Sequence, residues 1–138
     1  MSRHNTFHDI VVEALENDGW TITHDPYIIE FGDQELKIDL GAEMPIGAER
    51  SGKKIAAEIK SFLSPSPVTD LYGAYGQYAL YRDLLNQSEP NRVMYLAMPR
   101  DSYRALFTSE AGRGFRERNR IRLILYRQDI AGGLEWIE

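Results

Sequence analysis

Lys54-Ile55-Ala56-Ala57-Glu58-Ile59-Lys60-Ser61 is the stretch that decides how this chain is read. Its apolar β-formers and alternating pattern mark a strand, and successive side chains on a strand point to opposite faces. Glu58 and Lys60 therefore share one face while Ile59 turns to the other. A carboxylate and an ammonium project together from an otherwise apolar segment. Taken alone, an E-x-K on a strand is more often a solvated ion pair than a site, so its surroundings must decide. Upstream, Asp39 stands among Leu36, Ile38 and Leu40 in a second strand-like segment. If the two segments pair, two carboxylates and a lysine meet, a group able to hold a divalent cation with a positive charge beside it.

The flanking sequence supplies alternating elements and no repeats. Phe7, Ile10, Val11, Ala14 and Leu15 follow helical spacing after Asn5-Thr6, and Gly19 is suited to end that helix. Trp20 to Thr23, Tyr27 to Phe31 and Glu35 to Leu40 read as an antiparallel meander with turns at His24-Asp25-Pro26 and Gly32-Asp33-Gln34. Residues 41–53, with Pro45, Gly47 and Gly52, read as a loop. After Ser64-Pro65-Ser66-Pro67 the pattern predicts a long helix over Val68 to Asn86, in which Gly73 and Gly76 mark either distortion or close packing on the sheet. A strand over Arg92 to Met98, helices to about Phe107 and over Glu110 to Asn119, and strands Ile121 to Tyr126 and Leu134 to Ile137 complete the order. The expected class is α/β, a mixed β-sheet flanked by helices.

Composition narrows the function classes. A chain of 138 residues is expected to form a single domain over 1–138. No apolar run approaches the ~20 residues of a membrane span, and the start has no secretory apolar region, so a cytoplasmic location with no membrane partner is expected. With no cysteine, a thiol nucleophile, a disulfide framework and a thiolate zinc site are excluded. The net charge of −5 argues against tight, indiscriminate nucleic-acid binding. The average hides an asymmetry, because residues 1–80 carry 6 basic and 13 acidic side chains and residues 81–138 carry 10 and 8. All ten later cations are arginine, whose planar fork suits phosphate and carboxylate. The run from Arg100 to Arg127 thus has two readings. It is a solvated face, or it meets a nucleic-acid backbone or an acidic partner.

A helix, a meander carrying Asp39 and then Glu58-x-Lys60, a long helix and a further strand resemble the PD-(D/E)xK superfamily with its restriction-endonuclease-like fold. On that resemblance Asp39 matches the first acid, Glu58 the second and Lys60 the lysine. Glu13, in the first helix, matches an additional acidic metal ligand, and Gln77 with Tyr81 matches a Q-x-x-x-Y spacing on the helix after the motif. Ile38 departs from the pattern, which has proline there. The set implies Mg²⁺ or Mn²⁺ held by Asp39, Glu58, the Ile59 carbonyl and Glu13, with Lys60 orienting water and stabilising charge at phosphorus. Glu13 has the alternative of a solvent-facing glutamate, and Gln77 and Tyr81 that of bracing the sheet.

A closer resemblance covers nearly the whole chain. The segments from Arg3 to Trp20, Asp39-Leu40-Gly41-Ala42-Glu43, Ala57 to Phe62, Gly76-Gln77-Tyr78 and Ile121 to Asp129 are similar to the XisH family of fdxN-element excision controlling factors. That similarity implies a part in excising a DNA element, with DNA, a second small protein resembling XisI and, indirectly, a site-specific recombinase as partners. Two readings follow from it. One is a Mg²⁺-dependent endonuclease-like DNA-processing protein, for which symmetry suggests a homodimer. The other is a non-catalytic regulatory subunit acting through the XisI-like partner.

Overall fold

The computed structural model describes residues 6–32, 34–35, 45–127 and 133–138. Helix α1 (Thr6–Asn17) turns Val11, Ala14 and Leu15 inward. It stops at Gly19, whose φ of +94° is a left-handed conformation that glycine tolerates without a Cβ clash. Strand β1 (Thr21–His24) follows, then a short hairpin of β2 (Glu30–Phe31) and β3 (Gln34–Glu35). β4 (Ile46–Arg50) and β5 (Lys53–Ile59) form a second hairpin, and the long helix α2 runs Pro67–Ser88. Ser66 caps it by accepting from the Thr69 N–H at 3.3 Å, and Pro67 occupies the first turn, where its missing N–H costs nothing. β6 (Arg92–Pro99), α3 (Arg100–Phe107), α4 (Glu110–Arg118), β7 (Leu123–Tyr126) and β8 (Leu134–Ile137) complete the chain.

The main sheet has the order β1-β4-β5-β6-β7-β8. β5, β6 and β7 run parallel, and the pairs at either side are antiparallel, so the sheet is mixed as the sequence predicts. Strand alternation sorts the core into two layers. Ile55, Ala57, Ile59, Tyr95, Ala97, Ile124 and Tyr126 meet Val11 and Leu15 of α1 on one face. Ala56, Met94, Leu96, Met98, Leu123 and Leu125 meet Tyr78, Tyr81 and Leu85 of α2 and Leu106 and Phe107 of α3 on the other. Even-numbered positions of β5 thus belong to the α2 face, and Glu58 is among them. No helix among the described residues is long and apolar enough to cross a membrane.

Two expectations are corrected. Residues 41–53 are not simply a loop, because β4 lies within them and pairs with β5 from Ile46↔Ala57 to Arg50↔Lys53. The sheet neighbour of β1 is β4, so the expected meander does not build the main sheet. Glycine density hid the strand. Gly47 is required there by packing, since a Cβ would stand 2.9 Å from both His24 Nδ1 and the Tyr27 ring. Ser51 and Gly52, with φ of 51° and 82°, form a two-residue hairpin turn with both central residues left-handed, as the twist of paired strands favours. Asp39 and the strand read for Glu35 to Leu40 lie, from residue 36 on, outside the described residues.

Glycines in α2 and α4 answer to opposite demands. A Cβ at Gly73 or Gly76 would meet nothing within 4 Å, so close packing on the sheet is not their role. At Gly112 a Cβ would stand 1.9 Å from the Leu106 carbonyl oxygen, where α4 crosses the end of α3. Gly112→Ala is expected to cost about 1–3 kcal/mol by overpacking, whereas Gly76→Ala should add up to about 1 kcal/mol through helix propensity. Urea unfolding of the two variants should move the midpoint in opposite directions, and a shift of the same sign in both would contradict this packing.

Candidate functional site

β5 enters the sheet with Lys53 and Lys54 exposed and becomes wholly buried from Ile55 to Ile59. Paired on both edges and covered on both faces, it carries Glu58 to 1% exposure. Lys60, the next residue on the same face, has a side chain 24% exposed, and its Nζ lies 3.4 Å from Glu58 Oε2. That is an ion-pair distance without a well-aligned hydrogen bond. Among the described residues neither Glu58 oxygen has a hydrogen-bond partner, and the buried Gln77 Oε1 has none either. Burial pushes the Glu58 carboxyl up to about 8, against the opposing pull of the Lys60 ammonium. A buried acid with unmet acceptors is costly, and such costs concentrate where a ligand or a proton is handled.

The backbone around Lys60 is held from two sides. Its N–H donates to the Ala97 carbonyl at 2.9 Å, extending the parallel ladder with β6, and its carbonyl accepts from the Tyr126 hydroxyl at 2.9 Å. Because the Lys60 groups face β6, strand alternation turns the Ile59 carbonyl the other way, past Ile46 at the start of β4. Phe62 then takes a φ of +54°, turning the chain out of the sheet plane. The Ser64 N–H donates to Asp70 Oδ2 at 3.1 Å, tying this corner to the first turn of α2. Corner and helix enclose an open cleft of about 410 Å³ whose lining includes Lys60, Thr69, Asp70 and Gln77.

The residues predicted for the site are distributed unevenly. Glu58 and Lys60 are together, Ile59 lies between them, and Gln77 lines the same cleft as Lys60. Tyr81 is buried one turn further along α2. Glu13 is exposed on α1, which packs on the sheet face opposite the one carrying Glu58. Asp39 lies outside the described residues, and among those described no three His, Asp or Glu side chains gather as a metal cluster. Sequence reasoning missed Tyr126 and Asp70, which hold Lys60 and its corner. Their partners are remote or sit in a turn, and neither leaves a periodic signal.

The donor set suits a hard divalent cation in part. One buried carboxylate whose oxygens accept no hydrogen bond among the described residues and one main-chain carbonyl turned from the β6 ladder are oxygen ligands of the kind Mg²⁺ accepts. Asp39, the second acid that the resemblance implies, lies outside the described residues.

Comparison with known proteins supplies the family. The XisH family model, described as XisH protein, matches residues 1–131. The chain belongs to the XisH family. A crystal structure of an XisH family protein from Nostoc punctiforme PCC 73102 is similar at 37% identity and a TM-score of 0.83, covering 97% of this chain and all of that one. The fdxN element excision controlling factor protein from Anabaena variabilis is similar at 37% identity and a TM-score of 0.84, covering 98% and 100%. A search of the curated proteins gave no match. The chain shares its α/β arrangement with these XisH-family structures, and in it Glu58 and Lys60 stand at the end of β5.

The elevated Glu58 value makes stability depend on pH. The folded chain keeps a proton that the unfolded chain releases near the ordinary glutamate value of about 4.3. Stability should therefore fall as pH rises from about 4.5 towards 8 and level off above. Glu58→Gln removes this term and is expected to melt above the native protein at pH about 8, with a flatter profile between. Thermal melts across that range check it, and parallel profiles for the two proteins would show that Glu58 is not the group responsible.

Proposed function

We propose that this XisH-family chain is a DNA-processing protein acting in excision of a DNA element, with an endonuclease-type site built on Glu58, Lys60 and Asp39. The observation that carries the reading is the buried Glu58, with neither oxygen hydrogen-bonded among the described residues, beside the single lysine of an otherwise apolar strand end. Structural burial alone would favour a neutral side chain at this position. Retaining a carboxylate there is explained if it has a cation to hold.

In this reading Glu58 and the Ile59 carbonyl would hold Mg²⁺ or Mn²⁺ together with Asp39, and Glu13 is left as a surface residue of α1. A bound divalent ion lowers the pKa of water and polarises a phosphodiester. Lys60 has two tasks. Its ammonium, 3.4 Å from Glu58 Oε2, opposes the effect of burial and favours loss of the Glu58 proton, and it stabilises negative charge that grows on the phosphate oxygens during attack. Solvent reaches it through the open cleft, so a phosphate has a route to the ammonium. Gln77, whose buried Oε1 is unpartnered, serves as an acceptor that orients Lys60 or a water.

A second reading is supported by exposed apolar side chains in and near the corner that leads into α2. Leu63, which lines the cleft, and Val68 and Tyr72 in the first turns of α2 are 67%, 49% and 73% exposed. Large exposed apolar groups in one stretch of chain suit a protein partner such as a second, XisI-like subunit, with the chain then acting as a regulatory component.

Supercoiled, linear and single-stranded DNA incubated with the purified protein and Mg²⁺ or Mn²⁺ separates these readings. Nicking or cleavage is expected, stopped by EDTA and reduced at least about 100-fold in Asp39→Ala, Glu58→Gln and Lys60→Ala. No cutting of any DNA form with either metal would overturn the nuclease reading. A stable complex with the XisI-like protein that is lost in Leu63→Asp or Tyr72→Asp would then support the second.

A further inference from the structure

The late arginines do not act as one surface. Arg100 pairs with Glu135 at 2.8 Å, and Arg104 lies 3.5 Å from Asp101. Arg116 is buried and donates to the carbonyls of Ile121 and Glu138, so it straps α4 to the sheet instead of facing a partner. Arg118, Arg120 and Arg122 do something else. With Arg82 and Arg92 they line a cleft of about 540 Å³ at the start of β6, and no lining residue is acidic.

That cleft is preorganised. Arg82 Nη1 donates to the carbonyls of Asn119 and Arg120 at 2.9 and 3.0 Å, and its guanidinium stacks over the Tyr78 ring at 4.9 Å. The Tyr78 hydroxyl accepts from the Arg122 N–H at 3.0 Å. Helix α2 therefore grips the link between α4 and β7 along its backbone, fixing the segment that bears the three arginines. Within it Arg120 holds a φ of +52°, a left-handed conformation that is strained for a non-glycine residue. Such strain persists only where the surroundings enforce it.

The charges in the cleft are not balanced from within. Arg92 is satisfied by Glu89, Glu49 and the Ile55 carbonyl, and Arg122 lies 3.3 Å from Glu138. Arg118 and Arg120 have no ion pair among the described residues, and Arg82 uses one nitrogen only on its carbonyl pair. Several guanidinium forks converging on one concavity repel one another unless an anion lies between them. A carboxylate is satisfied by one fork, whereas a phosphate presents more oxygens and more charge to several.

We infer that this cleft is a phosphate-binding site, separate from the Glu58–Lys60 cleft. The two clefts flank different ends of α2, since Asp70 and Asn86 are sixteen helical residues apart, about 24 Å along the axis. The inference does not rest on DNA cleavage. Two sources share the chemistry, the backbone of a nucleic-acid strand and a small polyphosphate. No unstacked aromatic ring lines the cleft, so binding should be indifferent to the nucleobase.

The test measures binding of a labelled short single-stranded oligonucleotide and of pyrophosphate, in EDTA, to the full chain. The doubly substituted Arg118→Ala/Arg120→Ala protein is expected to bind the probe at least about tenfold more weakly, with the salt slope reduced by about 1 for each arginine that meets a phosphate. Arg113→Ala, an exposed arginine outside the cleft, should bind as the native chain does. Circular dichroism confirms that each variant is folded. Tight oligonucleotide binding that pyrophosphate displaces weakly identifies a strand as the source, and equal or tighter pyrophosphate binding identifies a small polyphosphate. Failure of the native chain to bind either probe overturns the inference. So does an equal loss in Arg113→Ala, or displacement by polyglutamate as effective as by pyrophosphate, which would mark a carboxylate partner.

Discussion

Taking a carboxylate out of water is the constraint around which this fold is arranged. Glu58 stands in a strand hydrogen-bonded on both edges and covered by helices on both faces, and the carboxyl responds by holding its proton to about 8. Nothing in the local backbone relieves that cost, so the surrounding apolar layers must offset it. They are extensive, because every residue of β5 from Ile55 to Ile59 is buried, as is nearly every residue of β6. The burial that penalises the charge also fixes its position. A carboxylate at this depth has little rotameric freedom, and the Tyr126 hydroxyl and Ala97 carbonyl hold the following lysine backbone just as firmly.

A single helix organises what the sheet presents. The first half of α2 borders Lys60 and the corner tied by Asp70, while its second half grips the α4–β7 link through Tyr78 and Arg82. Displacing α2 would disturb both places at once. Its tyrosines illustrate the division of labour. Tyr78 and Tyr81 are core, Tyr75 packs edge-on against Phe115 and donates to Asn119, and Tyr72 alone stands in solvent.

How much of this was legible in the sequence depends on the range of the interaction concerned. The alternation of Ile55, Ala57 and Ile59 marked β5 and the common face of Glu58 and Lys60, and the break at Ser64-Pro65-Ser66-Pro67 placed the start of α2 to within one residue, though Ser66 was not read as its cap. Both signals are local and follow from strand pleat and from the way proline interrupts a chain. β4 was lost because Gly47 is dictated by the approach of His24, Tyr27 and Arg92, contacts that arise only once distant segments are packed. The arginines were counted correctly but not sorted, since Arg116 and Arg120 look alike in a string. One is a buried strap and the other lines a cleft. The depth of Glu58 was hidden for the same reason, as it depends on which strands flank β5.

Net charge and local charge must be weighed at different distances. At physiological ionic strength charges are screened over about 8 Å, so a phosphate approaching this chain feels the −5 total weakly and the facing side chains strongly. An acidic surface suppresses loose association with any nucleic acid, while a fixed group of guanidinium forks still holds a phosphate that docks in the right place. Affinity under these conditions comes from geometry more than from long-range attraction. The Tyr78 and Arg82 anchors matter for that reason, because they commit α2 side chains to holding backbone rigid around Arg118, Arg120 and Arg122. A mobile basic tail would give a larger attraction at long range and far less discrimination at contact.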